Sequence, residues 1–472
     1  MKRSHNAWIA LSIGALLSLA AGQQQQPGHG LGYVRKYRDP VGGEIEAKNR
    51  QAEQARAAQT AEIRKVQAQE ADEAKNEESE LRFAFADVEK PASPDEFQAA
   101  FHFPPLQQFS TGNCWSFSAT SFFESEIHRL SGRKLKLSEM FTVYYEYVEK
   151  ARRFVQQRGA SFFDSGSEGN VVMQVWSRYG IVPADAYRGT VDPDGRYLDA
   201  PLLVEMKAYL DHVKQHELWD EELVVNSLRL ILDKYMGQPP ERFTYAGAEL
   251  TPQQFLTDIV RLRFDEYVCI MSTLAVPFHE YGEYKVPANW WHSADYYNVP
   301  LDEFYGVIQR AAGKGYTVKL NGDVSEPGLS GKDGLAIIPS FDIPREHIDQ
   351  AARELRIFNK TTDDDHDVHL VGTTRVGDSD WFLIKDSMAA AHWGPFKGYM
   401  FYRADYVKLK MLTYIVHGDI VRDVVKGFEP RSAQTARGRA AAPTTSQAVT
   451  ARAVAATQPP GGALLWRVDT GG

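Results

Sequence analysis

QQFSTGNCWSFSATSF, residues 107–122, holds one of only two cysteines in a chain of 472 residues. Gly112 and Asn113 read as a turn. Beyond it Trp115, Ala119, Phe122, Phe123, Ile127 and Leu130 recur at helical spacing, which predicts a helix that starts at Cys114. A thiol is a nucleophile as its thiolate, and a helix N-terminus favours that form through its N–H groups and dipole. Such a thiolate needs a base, usually histidine, which in turn needs an orienting group.

TTDDDHDVHLVGTTRV, residues 361–376, offers the base. Side chains alternate along a strand, so His366 shares a face with Val368 and Leu370, while His369 points the other way. That divergence disfavours a metal site made from the two imidazoles and the nearby aspartates, and no metal or other cofactor is expected. WFLIKDSMAAAHWGPFKGYMFY, residues 381–402, begins with what reads as the next strand, where Asp386 can lie beside His366 across the sheet. Taken singly, each piece has an ordinary reading. Cys114 is then a buried small hydrophobe, His366 a satisfied core residue and Asp386 a turn former beside Ser387. Their joint order along the chain is what points to nucleophilic chemistry.

Composition narrows the class. At 43% hydrophobic, the chain can bury one large core or two modest ones, and a net charge of −9 without a basic stripe argues against a nucleic-acid partner. Lys2 and Arg3, an apolar run from Ala7 to Leu19 and the small residues Ala20-Ala21-Gly22 read as a signal peptide over 1–22. No later stretch reaches the roughly 18 apolar residues of a membrane helix. The expected product is exported, periplasmic or secreted, with no membrane span after cleavage. Two cysteines make no disulfide framework, and Cys269, within the apolar YVCIMSTL, reads as a buried inert thiol.

Residues 23–82 are polar and rich in Ala, Glu, Gln, Lys and Arg, with Ile45, Ile63 and Val66 too few for a heptad stripe; they predict a helical spacer. Residues 428–472, rich in Ala, Thr, Arg and Pro, predict a disordered tail. Between them, residues 83–427 change character. Helical patterns dominate to about 300, and short β-branched and aromatic runs follow from about Tyr316: YTVKL, GLAIIP, DVHLVGTTRV, WFLIKD, GYMFY and LTYIVHG. A helical half followed by a β half is an α+β layout with a natural cleft between the halves.

These motifs together resemble the papain-like cysteine peptidases. QFSTGNCWSF is similar to their nucleophile stretch, with Gln108 six positions before Cys114; LSEMF, DHDVHLVG and IKDSM…GPFKGYMFY resemble the segments that follow in order. The roughly 250 positions from Cys114 to His366 exceed the about 130–150 of simple members. An insertion of that size points to the bleomycin hydrolase/aminopeptidase C branch, which SRYGIVPADAY, YYNVPLDEF and GYTVKLNGDVSE also resemble.

The resemblance implies a helical half over about 105–190, a large mostly helical insertion over about 190–300 and a β-barrel-like half over about 300–420. It implies Cys114 as nucleophile, His366 as its proton-exchange partner and Asp386 in the place of the family's orienting Asn. Gln108, with Gln107 as the less well-spaced neighbour, would bind the oxyanion. Gly166 of DSGSEGN, Ser167 in the place of a usual second Gly, and Trp115 would lie against the substrate. Met388 and Ala389 stand where the family has Trp and Gly. The expected function is hydrolysis of peptide bonds in peptides or proteins, as an aminopeptidase or an endopeptidase, with the oligomeric state open. The alternative is a degenerate relative that binds peptides without cutting them, suggested by residues 386, 388 and 389.

Overall fold

The computed structural model describes residues 33, 35–79 and 81–431. The signal-peptide reading of 1–22 and nearly all of the tail fall outside these residues. The chain divides into two units, one ending at Glu80 and one beginning at Leu81.

The first unit holds the helix α1, Pro40–Glu77, with Pro40 in the first turn and the Asp39 carboxylate accepting from the Val41 N–H at 3.1 Å. None of its residues is buried, and Ile45, Ile63 and Val66 are exposed. Its helicity comes from composition and from pairs such as Glu46 with Arg50, because no apolar stripe seeks a partner.

The second unit is a mixed sheet with helices on both sides. The helix α2, Cys114–Ser131, ends at Gly132, whose φ of 72° suits a residue without a Cβ. The helix α3, Glu139–Gln156, is capped by Ser138, whose Oγ accepts from the Phe141 N–H at 3.1 Å. The shorter α4, Val171–Tyr179, then α5, Asp199–Gln215, and α6, Glu221–Met236, complete the helical side. Trp115, Phe122, Phe123, Phe141, Tyr144 and Trp176 pack together there and are buried. Leu130, expected within the apolar stripe of α2, lies at the end of the helix and is half exposed.

Six strands carry the sheet: β1 Tyr267–Met271, β2 Val318–Gly322, β3 His366–Val376, β4 Ser379–Lys385, β5 Tyr399–Arg403 and β6 Met411–His417. Their order in space is β1-β6-β2-β3-β4-β5, with every neighbouring pair antiparallel. The apolar runs expected to be strands after Tyr316 form β2 to β6, apart from GLAIIP, whose short strand Leu335–Ala336 pairs in parallel with β5. The β1 strand, which contains Cys269, joins the sheet ahead of the expected start of the β half near residue 300. The helix α7, Leu301–Gly313, covers the sheet opposite α2, through a second core that includes Phe304, Ile308, Leu320, Leu370, Phe382 and Tyr414.

The expectation of a barrel-like half needs correction. The strand order is an open path that ends in the two-residue strands Tyr281–Gly282 and Leu329–Ser330, with no closure among the described residues. At Gly372 the backbone of Gln98–Ala99 pairs with β3 so closely that a Cβ would lie 2.9 Å from the Ala99 Cα, which explains a glycine there. The helix α2 and the strand β3 pack across the sheet, and their ends define the site.

Candidate active site

Cys114 is the first residue of α2 and is partly exposed. The Asn113 carbonyl accepts from the N–H groups of Ser116 and Phe117 at 2.9 and 3.2 Å, so the helix begins in ordinary fashion and aims the positive end of its dipole at Cys114. His366 is the first residue of β3, and its Nε2 lies 2.8 Å from Asp386 Oδ1. Burial alone would depress the imidazolium. The Asp386 carboxylate, and then Cys114 within hydrogen-bonding reach, outweigh that and hold the His366 pKa well above its ordinary 6.5. The structure therefore brings Cys114, His366 and Asp386 together.

Asp386 sits just past β4, whose last residue, Lys385, pairs with His369 on β3. Its Oδ1 accepts twice, from His366 and from the Met388 N–H at 2.8 Å, while its Oδ2 is buried without a hydrogen-bond partner. One oxygen thus makes both contacts, as an amide oxygen in its place could, and the second makes none. His369 is turned to other company. Its Nδ1 lies 2.9 Å from Ser121 Oγ, which also accepts from Lys385 Nζ at 2.8 Å. Burial, with Lys385 adding to it, holds the His369 pKa well below the ordinary value, so this imidazole is neutral.

Gln108 is buried in the loop before the turn. Its backbone N–H and side chain are both tied to Ser387: the N–H donates to the Ser387 carbonyl at 2.9 Å, and Oε1 accepts from Ser387 Oγ at 2.6 Å. Nε2 donates to the Thr111 carbonyl at 2.6 Å, which leaves the second amide hydrogen to point elsewhere. Gln107 has no comparable anchor in its side-chain contacts and is half buried. Phe109, between Gln108 and the turn, has φ of 56°, a left-handed conformation unusual for a bulky residue and found where a site constrains its backbone.

The segment Asp164–Gly166 runs beside the turn. Lys150 Nζ donates to the Asp164 and Gly166 carbonyls, the latter at 2.8 Å, and pairs with Glu146 Oε1 at 2.9 Å, all within the interior. A Cβ on Gly166 would meet open space, so this residue can face a substrate. The expected contacts of Ser167 and Trp115 with substrate do not fit. Trp115 is 0% exposed and its Nε1 donates to the Ser165 carbonyl at 3.1 Å, while Ser167 is 6% exposed and its Oγ accepts from Trp290 Nε1 at 3.1 Å. Both hold the segment from behind.

Sequence reasoning missed Ser387, Lys150, Glu146, Trp290 and Asp199. Of these only Glu146 and Lys150 left a trace, a charged pair at i,i+4 spacing on a helix whose surroundings are apolar. Among the described residues no group of three or more His, Cys, Asp or Glu could hold a metal ion.

Neither cysteine is in a disulfide, and Cys269 is buried between β6 and Tyr296–Asn298, which pushes its pKa up to about 12. Native protein treated with iodoacetamide should therefore take up one equivalent, at Cys114, and denatured protein two; peptide mass mapping reads the difference. Two equivalents taken up by native protein at equal rates would contradict this.

The model of the Peptidase C1-like family matches residues 47–427. The chain is 23% identical over 268 residues to the aminopeptidase C of Streptococcus thermophilus, covering 46% of this chain and 58% of that protein. It is 22% identical over 222 residues to the mitochondrial cysteine proteinase 1 of Saccharomyces cerevisiae, covering 38% and 45%. The chain thus spans about half the length of the curated relatives it matches. The crystal structure of PepW from Lactobacillus rhamnosis HN001 shares the fold, with a TM-score of 0.54 at 17% identity over 72% of this chain and 85% of that one. With four-fifths of its length matched by one family model, the chain belongs to the Peptidase C1-like family.

Proposed function

We propose that the protein is a cysteine peptidase that hydrolyses peptide bonds through Cys114 and His366. The observation that carries this reading is the His366 imidazole held between the Asp386 carboxylate and Cys114 at the start of α2. In the first half-reaction the Cys114 thiolate attacks the substrate carbonyl, and the C–N bond breaks as His366 hands its proton to the leaving amine. In the second, His366 takes a proton from water, whose oxygen attacks the thioester and releases the acid and the thiolate. The Cys114 N–H and the remaining Gln108 amide hydrogen stabilise the tetrahedral oxyanion, each donor of this kind being worth about 3 kcal/mol.

Aminopeptidase action is proposed from the name of the streptococcal relative, and peptides or proteins are the substrates. Export belongs to the same proposal and rests on the basic, apolar and small residues of 1–22. No helix among the described residues is long and apolar enough to cross a membrane. The test is release of a fluorogenic amine from aminoacyl and peptidyl amides by the full chain. Turnover that stops on one equivalent of iodoacetamide is expected, and peptide binding without turnover would favour the non-cutting alternative.

Asp386→Asn distinguishes charge from geometry. The amide oxygen can replace Oδ1, and the amide nitrogen would fall where Oδ2 now has no partner, so the variant is expected to stay folded and active. Removing the carboxylate lowers the His366 pKa. The imidazolium–thiolate pair is then lost at lower pH, and the alkaline limb of kcat/KM should move down by one unit or more, about the effect of a nearby opposite charge. The stability contributed by protonated His366 is complete below its unfolded value and disappears as pH rises through its raised folded value. Coincident alkaline limbs in wild type and variant would show that the carboxylate does not act on the imidazole.

A further inference from the structure

The turn that delivers Cys114 is clamped by a residue that none of the motifs includes. Asp199 opens α5, in the stretch expected as an insertion, and is 6% exposed. Its Oδ2 accepts from the Gly112 backbone N–H at 3.2 Å and from Asn113 Nδ2 at 3.2 Å, with Oδ1 at 3.4 Å from the same amide nitrogen. Its own N–H donates to the Ser110 carbonyl at 3.3 Å, and Leu198 and Ser110 form a parallel bridge. Three of the four residues before Cys114 are therefore tied to residues 198 and 199.

Two details show that the clamp serves the turn. Asn113 is the N-cap of α2, where an asparagine ordinarily bonds its own helix's first-turn N–H groups, yet its side chain makes no such bond and turns to Asp199. On the other side of the turn there is no slack, since a Cβ on Gly112 would lie 2.3 Å from Ser165 Oγ. Burying a carboxylate is costly, and burial does push the Asp199 pKa up to about 6 against the pull of Gly112, Asn113 and Lys150.

We propose that Asp199 is a positioning residue: it fixes the Gly112–Cys114 backbone so that the Cys114 N–H meets the oxyanion, and thereby couples α5 to the reaction. The inference rests on the peptidase reading above. Its consequence lies in the transition state, because the ground-state amide makes little use of that N–H.

Asp199→Asn keeps the shape but replaces one acceptor oxygen with an amide group that faces the Gly112 or Asn113 donor. Active-site-titrated kcat is expected to fall about 10- to 100-fold, the scale of a small misplacement of reacting groups. KM should stay within about twofold, the split that marks an interaction made only in the transition state. A merely structural role would lower the melting temperature and the titratable fraction while leaving kcat per titrated site unchanged, and that result overturns the proposal, as does a rise in KM with kcat intact. Should Asp199→Asn not fold, Asn113→Ala removes the side-chain arm alone and is read the same way: kcat lowered at constant KM supports the clamp, and unchanged kcat overturns it. Wild-type protein with no turnover overturns both the peptidase reading and this inference, whereas active wild type with an equally active Asp199→Asn variant overturns this inference alone.

Discussion

Cys114→Ala is expected to abolish peptide hydrolysis, lowering kcat/KM by at least about four orders of magnitude, in keeping with removal of the nucleophile in other acyl-transfer enzymes. The substitution deletes one partly exposed sulfur from the first position of a helix whose next residues are fully packed, so folding should be unaffected. No other thiol can take over. Cys269 is shut between strands, and burial keeps it protonated to about pH 12. Steady-state hydrolysis of the substrates cleaved by wild type, with circular dichroism as a control on folding, measures the effect. Residual turnover within tenfold of wild type would remove Cys114 from the chemistry.

His366→Ala is expected to lower kcat/KM by about 10²- to 10⁴-fold, the range for loss of a general acid–base. It carries a second consequence that Cys114→Ala does not. His366 is 6% and Asp386 1% exposed, so removing the imidazole leaves a buried carboxylate whose remaining partner is the Met388 N–H. Breaking a buried pair in this way costs about 3–5 kcal/mol. Adding Asp386→Asn removes the stranded charge, and the double variant should regain much of the stability and none of the activity. Thermal unfolding alongside kinetics separates the two effects. A His366→Ala variant with full activity would exclude the imidazole as the proton carrier.

Much of this was readable from residue order. The spacing of Trp115, Ala119, Phe122, Phe123 and Ile127 determined α2 and placed Cys114 at its head, because those residues had to face one core. The β-branched and aromatic runs after Tyr316 became strands, and the short step from His366 to Asp386 is an antiparallel neighbour pair joined by a tight connection. What escaped reading depended on distant segments meeting. Nothing local to Asp199, Trp290 or Ser387 says that they reach the turn, the Ser167 side chain and Gln108. Ser167 and Trp115 were assigned to the substrate because adjacency in sequence does not reveal which way a side chain points. The barrel expectation failed for a related reason: closure depends on how the edge strands end, and here they end in two-residue pieces that do not meet.

The central claim, a Cys114 thiolate stabilised by the His366 imidazolium, is tested most directly by the rate of iodoacetamide alkylation of Cys114 from about pH 5 to pH 9, in wild type and in His366→Ala. Alkylation of wild type is expected to be faster than that of His366→Ala across the acidic half of this range, because the imidazole beside the sulfur is what draws the proton away. Equal rates for the two proteins at every pH would contradict it.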